Sequence, residues 1–180
     1  MTLVPPVVEG GWLVVVDPQA IFADPATSPW GSAMWADAVP HVAALFTAYG
    51  PERTVVTRVV ANPSLGGSWV PYYRDWPFAL VPDADPLYAV VPELDGAADH
   101  VVTAGTFGKW PVLRDLVGAD AHVTLTGVST DCCVLSTALP AADAGATVRV
   151  VASACAGSSP ENHARALAAM ALYGPQITLA

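Results

Sequence analysis

The residues best suited to chemistry are few: an adjacent pair of cysteines, Cys132 and Cys133, the chain's single lysine, Lys109, and an aspartate, Asp17, that ends an apolar run. A thiolate is the strongest nucleophile these side chains offer. In Leu125-Thr126-Gly127-Val128-Ser129-Thr130-Asp131-Cys132-Cys133-Val134 an apolar run gives way to a polar turn. Val134, Leu135, Ala138 and Ala142 then recur at helical spacing up to Gly145. A cysteine in the first turn of such a helix meets the positive end of the helix dipole and unpaired amide groups, which favours thiolate over thiol. Neighbouring side chains on a helix point about 100° apart, so only one of the two cysteines can face a given site. A carboxylate beside that thiol could take its proton and return it to a leaving amine. Asp17 is a carboxylate at a strand end, where a turn former ahead of Pro18 is the structural alternative to a chemical role.

The elements that would position these groups follow from the apolar pattern. Trp12 to Val16 is short, continuous, rich in β-branched residues and bounded by Gly10-Gly11 and Asp17-Pro18, as a buried parallel strand should be. Similar runs occupy Thr54 to Val60, His100 to Thr103, His122 to Thr126 and Thr147 to Ala152, and Ile177 to Leu179 could close a sixth. Between the first two, Met34 to Tyr49 carries a helical apolar face stopped by Gly50, with Pro40 starting or kinking its regular part. Strands alternating with helices predict a three-layer α/β/α domain, Rossmann-like, with a mostly parallel sheet of about six strands. Ligands bind such sheets at the carboxyl ends of the strands, which is where Asp17 and the cysteine pair fall.

From Ala61 to Asp99 the pattern breaks into a proline-rich stretch that also holds Trp69, Tyr72, Tyr73, Trp76 and Phe78. Long irregular loops in compact domains are usually functional or disordered, and aromatic side chains that need a surface to pack on argue against disorder. The stretch is read as a pocket wall, a subunit contact or plain structural cover.

Composition narrows the function classes. The 180 residues suit one domain spanning 1–180, and with 53% hydrophobic against 13% charged residues the chain should bury a substantial core. A formal net charge of −9, with seven Lys and Arg scattered singly, leaves no basic stripe for nucleic acid or an anionic membrane. No apolar run approaches the roughly 20 residues of a membrane span, and the Met1-Thr2-Leu3-Val4 start lacks a basic signal segment. Three cysteines, two of them adjacent, suit neither a disulfide framework nor a CxxC site, and point to a reduced, cytoplasmic setting. The positive mean hydropathy hints at a homo-oligomer.

With these residues in place, the chain resembles the isochorismatase-like hydrolases, a family that includes nicotinamidases and related amide-cleaving enzymes. The resemblance rests on Gly127-Val128-Ser129-Thr130-Asp131-Cys132-Cys133-Val134, on the later Thr137-Ala138 and Asp143-Ala144-Gly145, and on Val16-Asp17-Pro18-Gln19 with Phe22. It implies that Cys133, directly before Val134, is the nucleophile and Asp17 its base. Cys132 and Cys155 would be packing residues. It also implies a cis peptide bond between Val128 and Ser129, and an oxyanion hole from the amides of Ser129 and Cys133.

The family's third catalytic residue is a lysine, and the matching position here is Ala104. Lys109 in Phe107-Gly108-Lys109-Trp110 lies five positions later, either reaching the site or remaining a solvated surface lysine; in the latter case the helix dipole and Arg58 would have to support the thiolate. Gln19, Phe22, Trp30, Trp69, Tyr72, Trp76, Phe107 and Trp110 are the candidate substrate-binding residues. The metal-binding Asp-x-His pair of some members has no counterpart in Thr57 to Pro63, and His41, His100, His122 and His163 lack ligand spacing, so no metal is expected. With no glycine-rich phosphate loop, no cofactor is expected either. The implied activity is thioester-mediated hydrolysis of a C–N bond in a small molecule. The alternatives are vinyl-ether hydrolysis of an isochorismate-like acid and non-catalytic small-molecule binding on the same fold.

Overall fold

A computed structural model describes residues 5–180. The Met1 to Val4 start considered above lies outside the described residues.

The six apolar runs form six strands: β1 (Trp12–Val16), β2 (Thr54–Val59), β3 (His100–Ala104), β4 (His122–Val128), β5 (Thr147–Ala156) and β6 (Ile177–Leu179). They make one parallel sheet in the order β3-β2-β1-β4-β5-β6. The alternation of a strand directs its residues to opposite faces. Leu13 and Val15 therefore enter one core with α2 (Trp35–Tyr49), while Val14 and Val16 enter the other with α4 (Trp110–Val117) and α5 (Leu135–Asp143). The result is the expected three-layer α/β fold. In α2, Pro40 lies inside the helix, and the Gly50 amide at φ +77° donates to the Phe46 carbonyl to end it.

Two expectations need refining. The long stretch between β2 and β3 is not structureless: it holds α3 (Trp69–Asp75) and 3₁₀ turns at Pro77–Ala79 and Pro86–Tyr88. The turn after β4 is a π-helical segment, Thr130–Val134, that continues directly into α5. Two further helices complete the chain, the short α1 (Ala20–Ala23) after β1 and α6 (Pro160–Ala171) before β6.

In this strand order the connections from β1 and β4, which are neighbours, leave to opposite faces of the sheet. That divergence opens a crevice at their carboxyl ends. Asp17 follows β1 and Cys133 follows β4, so both fall in the crevice.

Candidate active site

At the end of β1 the backbone turns sharply, with Asp17 at φ +46°, a left-handed conformation that few residues other than glycine adopt outside functional or tightly held positions. Thr57 on β2 holds the turn. Its hydroxyl accepts from the Asp17 amide at 3.0 Å and donates to the Asp17 carboxylate oxygen Oδ1 at 2.6 Å. The other oxygen, Oδ2, is 2.8 Å from the Lys109 ammonium, and both side chains are fully buried. The Lys109 Nζ also donates to the Thr106 and Phe107 carbonyls, each at 2.8 Å. Lys109 therefore curls back under its own loop to meet Asp17, and the chain's single lysine is not a solvated one.

That loop is pinned from behind. The Lys109 amide donates to the Thr137 hydroxyl, which in turn donates to the Cys133 carbonyl. A Cβ on Gly108 would stand 2.5 Å from the Ser136 carbonyl oxygen, so the loop packs against α5 only because this residue has none. On β4, a Cβ on Gly127 would overlap the Val16 backbone, and glycine here lets the ends of β1 and β4 close on each other.

Cys133 is buried in the first turn after β4, and the Val128–Ser129 peptide before it is cis. The thiol is held well above its ordinary range by its hydrogen bond with Cys132, by burial and by the Asp17 carboxylate, with Lys109 pulling the other way. The helix start is therefore not the only influence on Cys133: its pairing with Cys132, its burial and a neighbouring anion all favour the thiol. Burial also lowers the Lys109 ammonium, but Asp17 and Cys133 more than reverse this, and it is raised above 10.5. Cys155 is buried in the core, where desolvation pushes its thiol up to about 12.

Cys133 opens onto a cavity of about 200 Å³, lined by Phe22, Trp30, Trp69, Tyr72, Tyr73, Tyr88 and Phe107 along its walls. Ser129, Asp131, Cys132 and Ser158 line it as well. The wall rings pack against one another, Trp69 on Phe107 at 4.9 Å between centroids and Trp30 on Tyr72 at 5.8 Å.

Three of the candidate substrate-binding residues fall elsewhere. Gln19 is fully buried outside the cavity, its amide donating to the Val59 and Tyr88 carbonyls and accepting from the Val59 amide, so it ties the wall segment to β2. Trp110 packs into the core behind α4. Trp76 stands behind Trp30, edge to face, and does not line the cavity. Arg58 pairs with Asp83 at 2.6 Å instead of approaching the thiol.

Other residues of the site gave no signal in the sequence. Thr57 is one more β-branched residue in a strand run, and Tyr88 and Ser158 are single polar residues in loops. Asp131, although inside the cysteine motif, was not marked for a role. Its carboxylate accepts from the Ser158 amide and hydroxyl, both at 2.7 Å. Among the described residues no three His, Cys, Asp or Glu side chains converge as metal ligands.

Several solved structures share this architecture. A cysteine hydrolase from Pseudomonas syringae pv. phaseolicola superposes with a TM-score of 0.79 at 19% identity, covering 99% of this chain and 93% of that one. An isochorismatase family protein from Desulfovibrio vulgaris gives 0.76 at 22% identity, covering 94% and 93%. A pyrazinamidase from Pyrococcus horikoshii, solved in complex with zinc, gives 0.73 at 22% identity, covering 95% and 98%. At these identities the likeness concerns the fold. No curated protein sequence matches the chain. The sequence model of the isochorismatase domain, however, matches residues 11–180, and the chain therefore belongs to the isochorismatase-like hydrolase family.

Proposed function

We propose that the protein is a cysteine hydrolase that cleaves the C–N bond of a small amide through a Cys133 thioester, with Asp17 as proton carrier. The reading is carried by one observation: a fully buried Asp17–Lys109 ion pair at 2.8 Å whose charges act on a buried thiol, Cys133, that lines a cavity. A buried charge pair is costly to assemble and is weak evidence for stability, so its place beside a nucleophile points to chemistry.

The steps follow from the charges. Cys133 rests as a thiol, and on attack its proton passes to Asp17 as sulfur bonds to the carbonyl carbon. The oxygen that becomes negative lies toward the amides of Ser129 and Cys133, in a site where such donors act with little competing water. Lys109 stays paired with the Asp17 carboxylate at 2.8 Å and holds it in place. Asp17 then gives that proton to the departing nitrogen, the C–N bond breaks, and the amine leaves. Water, losing its proton to Asp17, attacks the thioester carbon, and the acid departs as the thiol re-forms.

Among the described residues no Lys or Arg lines the cavity, which weighs against a dianionic isochorismate-like acid, since a site for one should offer several cations. The three free cysteines suit a reducing compartment such as the cytoplasm.

The test is amine release from a panel of small aromatic and aliphatic amides, with Cys133→Ala as control and intact-protein mass spectrometry for the acyl adduct. Release that needs Cys133 and an adduct on its peptide are expected. Binding of panel members without any Cys133-dependent release would favour the non-catalytic binding protein instead.

A further inference from the structure

The cavity has a consistent charge character, and this narrows the substrate beyond a small amide. Its walls are aromatic: Phe22, Trp30, Trp69, Tyr72 and Phe107 among them. Such ring faces attract cations. Its polar lining consists of hydroxyl and thiol residues and one acidic residue, Asp131, and no Lys or Arg lines it among the described residues. Lys109, the cation nearest the thiol, is fully buried and neutralised by Asp17 behind the cavity. An ionised carboxylate has about four acceptor positions. Asp131 uses one on each oxygen, for the Ser158 amide and the Ser158 hydroxyl, so each oxygen keeps capacity for a further donor. The first-turn amides after β4 favour negative charge only where the reacting oxygen sits, and the rest of the cavity contributes no positive group to oppose a cation.

Size adds a limit. A cavity of roughly 150 Å³ accepts a benzene-sized ring, and this one is about 200 Å³, enough for one ring and a short substituent.

From these features we infer that the substrate is an amide on a single ring that also carries a cationic ammonium group, with Asp131 and the aromatic walls as the recognition elements for that charge. The inference rests on the amide-hydrolase reading above.

Three amides of similar shape test it: 3-(aminomethyl)benzamide, cationic at neutral pH, 3-(hydroxymethyl)benzamide, neutral, and 3-carbamoylphenylacetate, anionic. The methylene group insulates the scissile carbonyl, so differences in kcat/KM report recognition. The cation should be preferred over the neutral amide by about tenfold or more, the size of one desolvated cation–π contact, and the anion should be the poorest. In Asp131→Asn the ratio of cation to neutral should fall several-fold, and a loss common to both substrates cancels in that ratio. Should Asp131→Asn fail to fold, competitive inhibition of the wild type by benzylammonium against benzyl alcohol reads the same preference. Turnover of the neutral amide at the rate of the cation, with equal inhibition by the two benzyl compounds, would overturn the charge inference and leave the hydrolase reading intact. Failure of all three amides to react, with benzylammonium still bound more tightly, would remove the hydrolase reading and keep the charge preference.

Discussion

The two sides of the crevice are held by different kinds of structure. On one side Asp17, Thr57 and Cys133 stand at or just beyond three hydrogen-bonded parallel strands, and the Asp17 carboxylate is fixed by a hydroxyl at 2.6 Å and an ammonium at 2.8 Å. On the other, Trp30, Trp69 and Tyr72 come from a loop and one short helix and hold their places by ring against ring, and Tyr88 comes from a 3₁₀ turn. Tyr88 adds a hydroxyl bond to the Ala79 carbonyl, and Gln19 binds the Tyr88 backbone to β2. The strand side has little freedom to adjust, whereas the wall can change its rings without disturbing the sheet. Under the proposed function, chemistry and selectivity would thereby be separated in the structure.

If so, substitutions on the two sides should fail differently. The largest effect is expected at Lys109→Met, which leaves the Asp17 carboxylate buried and unpaired at a cost of about 3–5 kcal/mol, with turnover falling about 10²-fold or more. Denaturant titration measures the first, and Asp17→Asn combined with Lys109→Met should recover part of the stability but none of the activity. The same pair sets an alkaline limit. Lys109 is raised above 10.5 in the folded protein, so its contribution is fully present below that value and is lost as pH rises through the higher folded value. Lys109→Met should flatten this alkaline fall in stability.

A middle effect is expected at Thr57→Val, which keeps the shape but leaves the Asp17 amide and Oδ1 without their partner, for about 1–3 kcal/mol. Here kcat should drop while KM holds, and Thr57→Ser should restore most of it. The smallest is at Phe107→Leu on the wall, where each lost aromatic contact is worth about 0.5–1.5 kcal/mol. There KM should rise with kcat nearly unchanged, the sign of lost uniform binding. A Phe107→Leu enzyme that lost kcat instead would mean the wall also aligns the reacting carbonyl, and the separation of the two sides would not hold.

The same division explains what could be read from the amino acids alone. Strand runs bounded by glycine and proline are local signals, and all six strands begin where the runs begin; the motif around Cys133 and the apolar run before Asp17 are local too. Thr57 carried no such mark, because its role depends on β2 lying beside β1, a neighbour relation made by residues 40 positions apart. Gln19 and Trp110 misled for the opposite reason. Each stands beside a motif residue in the chain, but the turn after Asp17 and the start of α4 send them into the interior. The raised thiol of Cys133 was missed because the helix dipole is implied by one segment, whereas burial and the Asp17 charge come from the assembled crevice.

Lys109 carries a wider consequence. Its ammonium reaches Asp17 from the loop before α4, whereas Ala104 ends β3 at the place where the family resemblance implies a lysine. A screen that compares homologues column by column would find alanine, score the chain as having lost a functional group, and file it with inactive relatives. A screen that asks only whether a nitrogen lies within 3 Å of the carboxylate would retain it. Chains set aside for want of a residue at its usual place merit a second inspection for that group arriving by another route.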